Sequence, residues 1–259
     1  MSQTRQLFLF DSKGHPLAEI AGGSWNLKHG HVIKQHSHSE DQLLFAAEGV
    51  MTLDTSQGVW VVPPLRAVWI PAETVHGVKM SGRVSMRTLY FLPGSCKSLP
   101  RRCLVINISS LLKELILHAC TFSKLRKNVT SERHVIDMIV DQLKEVESIP
   151  VQLPHPTDIR ARKLADKLSA NPGDQRSFDD LCSGCGAGKR TMQRLFVEET
   201  GMSFSKWRQR LRLISAMQRL AAGESVTNAA LEAGYNSTSA FIAMFRKQLG
   251  MTPTRYLSG

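Results

Sequence analysis

The sequence has little that would carry it into a membrane or out of a reducing compartment. No stretch approaches the roughly 18 apolar residues that a spanning helix requires. The first residues, MSQTRQLFLFDSKG, hold only a four-residue apolar run before Asp11. A secretory leader would have a longer apolar segment and a small-residue cleavage site, so the expected location is cytoplasmic. Cysteine is sparse: five in 259 residues, an odd number that suits free thiols better than a disulfide framework. Cys182 and Cys185 have C-x-x-C spacing, but no second pair joins them and both align with alanines of a downstream repeat, so packing is their simpler role. Acidic residues are in deficit, 22 against 33 Lys and Arg, for a formal charge of +11. The surplus is uneven. Residues 155–259 carry 16 basic against 9 acidic side chains, and residues 1–154 carry 17 against 13. A surplus concentrated in one region suits nucleic-acid binding, and no polybasic cluster beside an apolar helix points to a membrane.

What is present is an internal repeat in that basic region. Gly186–Ser203 reads GAGKRTMQRLFVEETGMS, and Gly234–Thr252 reads GYNSTSAFIAMFRKQLGMT. Phe196, Gly201 and Met202 return 49 positions later as Phe245, Gly250 and Met251, while the turn glycines Gly186 and Gly234 are 48 apart. Such self-similarity outranks local propensity as a fold signal. Each copy has the arithmetic of a helix-turn-helix. Ser177 suits an N-cap, with Asp179 and Asp180 at the positive end of the helix, and Ser225 stands in the matching place. Beyond each turn, Met192, Leu195 and Phe196, then Phe241, Met244 and Phe245, form apolar stripes at helical spacing. The predicted modules span about 177–199 and 225–249. Between them Phe204–Ala222 carries Trp207, Leu211, Ile214, Met217 and Leu220 at helical spacing, with Gly223 to end it. About 19 residues at about 1.5 Å each span nearly 30 Å, close to the roughly 34–36 Å turn of a duplex. That length can hold two reading helices on successive major grooves. Thr252 and Pro253 open a last helix as N-cap and first residue.

The sides opposite the stripes show what the modules offer. In the first, Lys189, Arg190, Gln193 and Arg194 are free of the stripe. Arg can donate two bonds to guanine O6 and N7, and Gln can pair with adenine N6 and N7. In the second, Asn236, Ser237, Thr238 and Ser239 are short and polar, suited to phosphate contacts and shape. Neither face has the aromatics that stack on single strands, which argues against RNA. These residues (Arg190 to Phe196, Glu199 to Ser203, Gly234 to Ser237, Ser239 to Phe241, Phe245-Arg246, Gly250 to Pro253 and Tyr256) resemble the AraC/XylS family of transcription regulators over roughly residues 158–258, about two-fifths of the chain. The resemblance implies that Arg190, Gln193 and Arg194 read bases and that Thr238 and Ser239 sit at the groove. Two departures stand out. Gly188 replaces the usual Ser N-cap, and Gly184 falls within the expected first helix, where it costs about 1 kcal/mol against Ala.

Residues 17–92 alternate short Val-, Leu-, Trp- and Phe-rich runs with turn signals at Gly22-Gly23, His29-Gly30, Gly58, Pro63-Pro64, Pro71 and Gly82, the pattern of a sandwich or small barrel. His36, His38 and Gln42, followed by Gly49, Pro71 and His76, resemble the cupin pattern of a jelly-roll barrel. Gln42 stands where that pattern has Glu, and Glu73 where it has Gly. Three imidazoles suit a transition metal, but a neutral Gln supplies no charge compensation. The alternative is a retained strand pattern whose histidines line a ligand pocket. Trp25 and Trp69 lie on the same strand set and could clamp a flat apolar ligand. Cupin-like amino-terminal domains of this family commonly sense small molecules, which is what the resemblance implies here.

From Ser109 to Phe122 and Ser131 to Val146 the period becomes helical. Those helices could cover the barrel, meet the DNA-binding part, or pair two chains. Pro150, Pro154 and Pro156 suggest a semi-rigid linker. The predicted organisation is α+β and two-domain: a β-barrel (jelly-roll, cupin-like) sensor at 1–100, an amphipathic helical region at 101–149 for an interface or dimerisation, a linker at 150–157, and an all-α tandem helix-turn-helix domain at 158–258. The expected function is sequence-specific binding of double-stranded DNA under control of a small-molecule effector held by Trp25, His36, His38, Gln42, Trp69 and His76. A homodimer is expected, and RNA polymerase is a partner such a regulator admits. No catalytic residue or cofactor is expected, and activation and repression stay open. The competing class is a metal-dependent cupin enzyme, an oxygenase or isomerase, with His36, His38, Gln42 and His76 at the metal.

Overall fold

The computed structural model describes residues 9, 17–64, 66–97, 99–144, 148–149 and 152–258. They divide into two compact units, residues 1–55 with 62–150, and residues 56–61 with 151–259. In chain order come β1 (Ile20–Leu27), β2 (Val32–His36), β3 (Asp41–Thr55), β4 (Gly58–Val62), β5 (Arg66–Ile70), β6 (His76–Phe91), β7 (Leu104–Asn107), α1 (Ser110–Ala119), α2 (Thr130–Lys144), β8 (Ser148–Ile149), β9 (Gln152–Pro154), α3 (Ile159–Ala170), α4 (Phe178–Ser183), α5 (Lys189–Thr200), α6 (Phe204–Ala221), α7 (Val226–Glu232), α8 (Thr238–Leu249) and α9 (Pro253–Ser258).

The first unit is built on β6. Antiparallel β3 runs beside it, β1 pairs with its C-terminal half and β2 with its N-terminal end. On the other side of β3 lie β5, β7 and β8 in turn. Among the described residues the path runs open from β1 to β8, so the expected closed barrel is instead an open, largely antiparallel sheet. Closure requires mutually consistent tilt and stagger of the outer strands. Here the free edge of β1 is taken by a single bridge to Leu125, with Leu125 N–H donating to Ile20 O at 2.8 Å and Glu19 N–H to Leu125 O at 2.9 Å.

Side chains of a strand alternate between faces, and the register assigns them. Leu43 pairs with Trp69 and Leu89, and Phe45 with Ala67. These residues with Ile20 and Phe91 form one buried cluster with Leu112, Ile116, Ile136, Ile139 and Leu143 from α1 and α2. The two helices therefore cover this face, as one of the expected roles had them do. Close approach needs Gly22: a Cβ there would sit 2.6 Å from Ala119 O. The opposite face carries Gln42, Thr88, Tyr90, Met86 and Trp25.

The second unit is helical. Its short strand β9 pairs with β4, Gly58 opposite Pro154. Trp207 Nε1 donates to Pro154 O at 2.8 Å and Arg210 to Gln152 O at 3.0 Å. Residues 152–154 of the expected semi-rigid linker are thus extended, paired backbone; Pro150 and Val151 lie outside the described residues. The central helix α6 buries Phe204, Trp207, Leu211, Ile214, Met217 and Leu220. It packs against α5 of the first module and α7 of the second.

Candidate DNA-reading faces and histidine site

The first module opens with a capping box. Ser177 accepts from Asp180 N–H while the Asp180 carboxylate takes the Ser177 N–H, satisfying two donors that α4 would otherwise leave bare. Gly184 is not inside this helix, as its position in the sequence suggested, but caps its C-terminus, so the interior-helix penalty does not apply. Gly186 makes the turn at φ 73°. Gly188 then starts α5 without a side-chain cap, as expected from the missing Ser. Met192, Leu195 and Phe196 are buried, and Lys189, Arg190, Gln193 and Arg194 are exposed on the other side. Lys189 lies 2.7 Å from Asp179, and Arg194 lies 2.9 Å from Glu198 one turn on. Exposed pairs of this kind are worth little and exchange readily. The side chains of Arg190 and Gln193 make no hydrogen bond or ion pair with the described residues.

In the second module Ser225 caps α7, Gly234 turns the chain at φ 87°, and Ser237 caps α8 by accepting from Ala240 N–H at 3.2 Å. Asn236, Ser237 and Ser239 are exposed and Thr238 is half-buried. Ser237 is therefore first a cap. The sequence reading missed Arg246 and Lys247, both exposed on α8; the signal was present, since Ser239, Ala243 and Arg246 follow one another at helical spacing.

Much of the basic surplus between the modules is internal. Arg208 donates to Arg176 O at 2.9 Å and also to Asp174 O. Arg212 donates to Asp174 O at 2.9 Å, and Arg219 pairs with Glu224 at 2.9 Å. Burial lowers the pKa of Arg208, Arg210 and Arg212. The charge that faces outward is thus carried by α5 and α8 more than by α6.

In the first unit the sheet brings together residues far apart in sequence. β2–β6 pairing sets His36 opposite His76, and ring centroids lie 4.4 Å (His36–His76), 5.2 Å (His38–His76) and 5.9 Å (His36–His38) apart. One ring nitrogen of each lies within 4.8 Å of the others. His76 is buried, His38 partly buried and His36 exposed, so the cluster opens toward solvent. Each Nδ1 faces a nearby carbonyl: Lys34 O at 2.9 Å from His36, Glu40 O at 2.9 Å from His38, Thr74 O at 2.8 Å from His76. His38 Nε2 lies 3.1 Å from Gln42 Oε1. Gln42 Nε2 donates to Thr88 Oγ1 at 2.9 Å and to Tyr90 OH at 3.3 Å. Burial, with the neighbouring His36 and His38, pushes His76 down to about 4, so it stays neutral near pH 7. Burial and the charge of Glu40 push the Tyr90 phenol up to about 12. Glu73, standing where the cupin pattern has Gly, takes a positive φ of 63°. Its N–H donates to His38 O at 2.8 Å, so that turn also helps hold the cluster.

Of the expected pocket residues, His36, His38, Gln42 and His76 come together, and half-buried Trp25 shares their face of the sheet. Trp69 does not. It is 2% exposed, packs 5.6 Å from the Phe91 ring, and belongs to the helix-covered face. The reason is register: Gln42 pairs with Ile70, one residue on, which turns Trp69 away.

Residues 181–259 match the helix-turn-helix domain family, and residues 20–140 match the AraC-like ligand binding domain family. The HTH-type transcriptional regulator NimR of Escherichia coli K12 is 33% identical over 223 residues, 86% of this chain and 81% of that protein. RipA of Corynebacterium glutamicum, also an HTH-type transcriptional regulator, is 37% identical over 106 residues, 41% of this chain and 32% of that protein. Among solved structures, ToxT of Vibrio cholerae with a bound unsaturated fatty acid aligns over 92% of this chain and 95% of its own, at 14% identity and a TM-score of 0.39. No helix among the described residues is long and apolar enough to cross a membrane.

Proposed function

The chain belongs to the AraC family of transcriptional regulators, DNA-binding proteins that pair a helix-turn-helix domain with a ligand-binding domain, and from that premise we propose which residues do the reading and the sensing. Arg190, Gln193 and Arg194 contact base edges in one major groove, with Lys189 on the adjacent phosphate. Asn236, Thr238 and Ser239, joined by Arg246, engage backbone and groove in the next, and Ser237 contributes through its hydroxyl hydrogen. The observation that carries this is the division of α5 into a buried stripe and an unpaired, exposed Arg190–Gln193 face. α6, 18 residues and so about 27 Å long, supplies a spacing near one duplex turn.

The sensing region is residues 1–100, with the effector on the sheet face that carries Trp25, Gln42 and the three histidines. Residues 101–149 supply a homodimer contact, for which Leu111 and Met138 (50% and 46% exposed) are candidates on α1 and α2; sedimentation analysis of a Leu111→Glu variant tests it. Residues 158–258 bind DNA in the cytoplasm, where the five thiols stay reduced, and an activating member of such a system would touch RNA polymerase. Selection from random duplexes followed by gel-shift titration tests the base-reading assignment. Arg190→Ala should lose affinity on the selected site and little on random duplex. Equal loss on both would remove Arg190 from the readers.

A further inference from the structure

We propose that Val197 is a specificity-determining residue of the first module, packing against the C5-methyl group of one thymine in the major groove. The argument starts from its place on α5. At about 100° per residue, Arg190, Gln193, Arg194 and Val197 fall within an arc of about 100°, with Val197 projected between Gln193 and Arg190. Its neighbour Phe196 is buried, and Glu198 on the other side pairs with Arg194 at 2.9 Å. Val197 is 53% exposed, an apolar side chain in the middle of a polar face. A single exposed valine is ordinary on a protein surface. One centred on the side of the helix that meets base edges selects among them.

The second module supplies an independent comparison. Phe196 aligns with Phe245, so Val197 aligns with Arg246. Each follows directly on a buried phenylalanine, and both are exposed. Arg246 can hold a phosphate. The Val197 side chain has neither charge nor hydrogen-bond donor, so that role is closed to it. The free protein gains little from valine here. About half of the side chain stands in water, and β-branched residues are poorer helix formers than Ala, Lys or Arg. Among the groups that line the major groove, the thymine C5-methyl is the apolar one, and burying Val197 against it removes both from water. Val197 lies three residues beyond Arg194, about 4.5 Å along the axis. That is a little more than the roughly 3.4 Å between stacked bases, which puts the thymine in a base pair next to the one Arg194 reads.

The proposal rests on the base-reading assignment of α5 and deepens it, and the two failures can be told apart. A preferred site is selected from random duplexes with the full-length protein, and each of its thymines is replaced in turn by deoxyuridine, which removes only the methyl group. One replacement, beside the base pair where Arg194→Ala relaxes preference, should weaken binding about fourfold, the worth of one buried methyl. Val197→Ala should weaken binding to the thymine duplex about as much and bring the thymine-to-deoxyuridine affinity ratio toward one. Its circular dichroism should be unchanged, because the position is exposed and alanine favours the helix. The double-mutant cycle over protein and base isolates the contact. The methyl contact is overturned if no thymine shows the effect, or if Val197→Ala keeps the parent's ratio. If that happens while Arg194→Ala still relaxes preference at one base pair, the base-reading assignment stands and only the methyl contact falls. If Arg190→Ala and Arg194→Ala each lose equally on selected and random duplex, the assignment falls and takes the methyl contact with it.

Discussion

The two helix-turn-helix modules share a skeleton and differ on the surface. Phe196 and Phe245 are both fully buried in corresponding positions, both second helices end on a left-handed glycine (Gly201 at φ 68°, Gly250 at φ 73°), and both first helices begin on a serine cap. The differences lie where the second helices start and in what they show outward. α5 begins on uncapped Gly188 and presents Arg190, Gln193 and Arg194. α8 begins on Ser237, which caps it, and presents Thr238, Ser239 and, a turn later, Arg246. What is common answers to the core. On the proposed reading, what diverges answers to the duplex, with the first module discriminating between bases and the second holding position.

The largest effect should come from breaking what the modules share. Phe196 contacts the rings of Phe204 and Trp207, and Phe245 those of Phe241 and Tyr256. Either Phe→Ala change should cost about 3–5 kcal/mol. Because α6 packs against both modules, hydrogen exchange of Phe196→Ala should show protection lost in α8 as well as α5. Retention of protection in α8 would make the modules independent and the shared spacer unimportant.

The next effect separates the surfaces. Arg190→Ala should cost about 1–3 kcal/mol on the selected site and relax preference at one base position. Arg246→Ala should weaken binding evenly across sequences and lower the salt slope by about 1. Gel-shift titrations on selected and random duplexes at several salt concentrations read both. The contrast between discriminating and positioning modules fails if the two variants behave alike.

A smaller effect tests the loop that serves both modules. Asp174, 8% exposed, accepts from the Arg176 guanidinium and N–H, its carbonyl takes Arg208 and Arg212, and the neighbouring Gln175 donates to Gly234 O at 3.0 Å in the second turn. The Arg176 hydrogen bonds hold its carboxyl down to about 2 from 3.8. A lowered folded-state pKa means stability present above the unfolded value and lost as pH falls toward 2. Asp174→Asn should therefore remove on the order of 1–2 kcal/mol at neutral pH and flatten the decline of urea midpoint between about pH 4 and pH 2. An unchanged decline would place the acid sensitivity elsewhere.

How legible all this was depended on how local the cause is. The repeat could be read because Phe196/Phe245 and Gly201/Gly250 are dictated by contacts within each module, and the exposed face of α5 followed from period alone. The missed Arg246 needed only the same period carried one turn further. The sheet was harder. His36 and His38 stand close in sequence, but His76 joins them through β2–β6 pairing, and the Nδ1–carbonyl bonds that set the tautomers depend on backbone geometry. Trp69 was misplaced because a one-residue register difference moves a side chain to the other face. The open sheet, where a barrel was expected, depends on strand tilt and on how Leu125 meets β1, which no local pattern encodes.

The smallest expected effect tests whether the missing cap of α5 is a flaw or a device. Gly188 has an ordinary backbone (φ −70°, ψ 162°), and a Cβ there would meet nothing within 4 Å. Gly188→Ser can thus supply the cap that Ser237 gives α8, and replacing a glycine cap should gain only a few tenths of a kcal/mol. If the bare glycine is only a weakness, thermal midpoint and affinity for the selected duplex should both rise slightly. If glycine is there to let the start of α5 approach a phosphate closely, the midpoint should still rise while affinity falls, because the added side chain would occupy the space the backbone needs. Since the front of α5 is open in the free protein, we expect the second result, and a matching Ser237→Gly change in α8 should lower stability without improving binding.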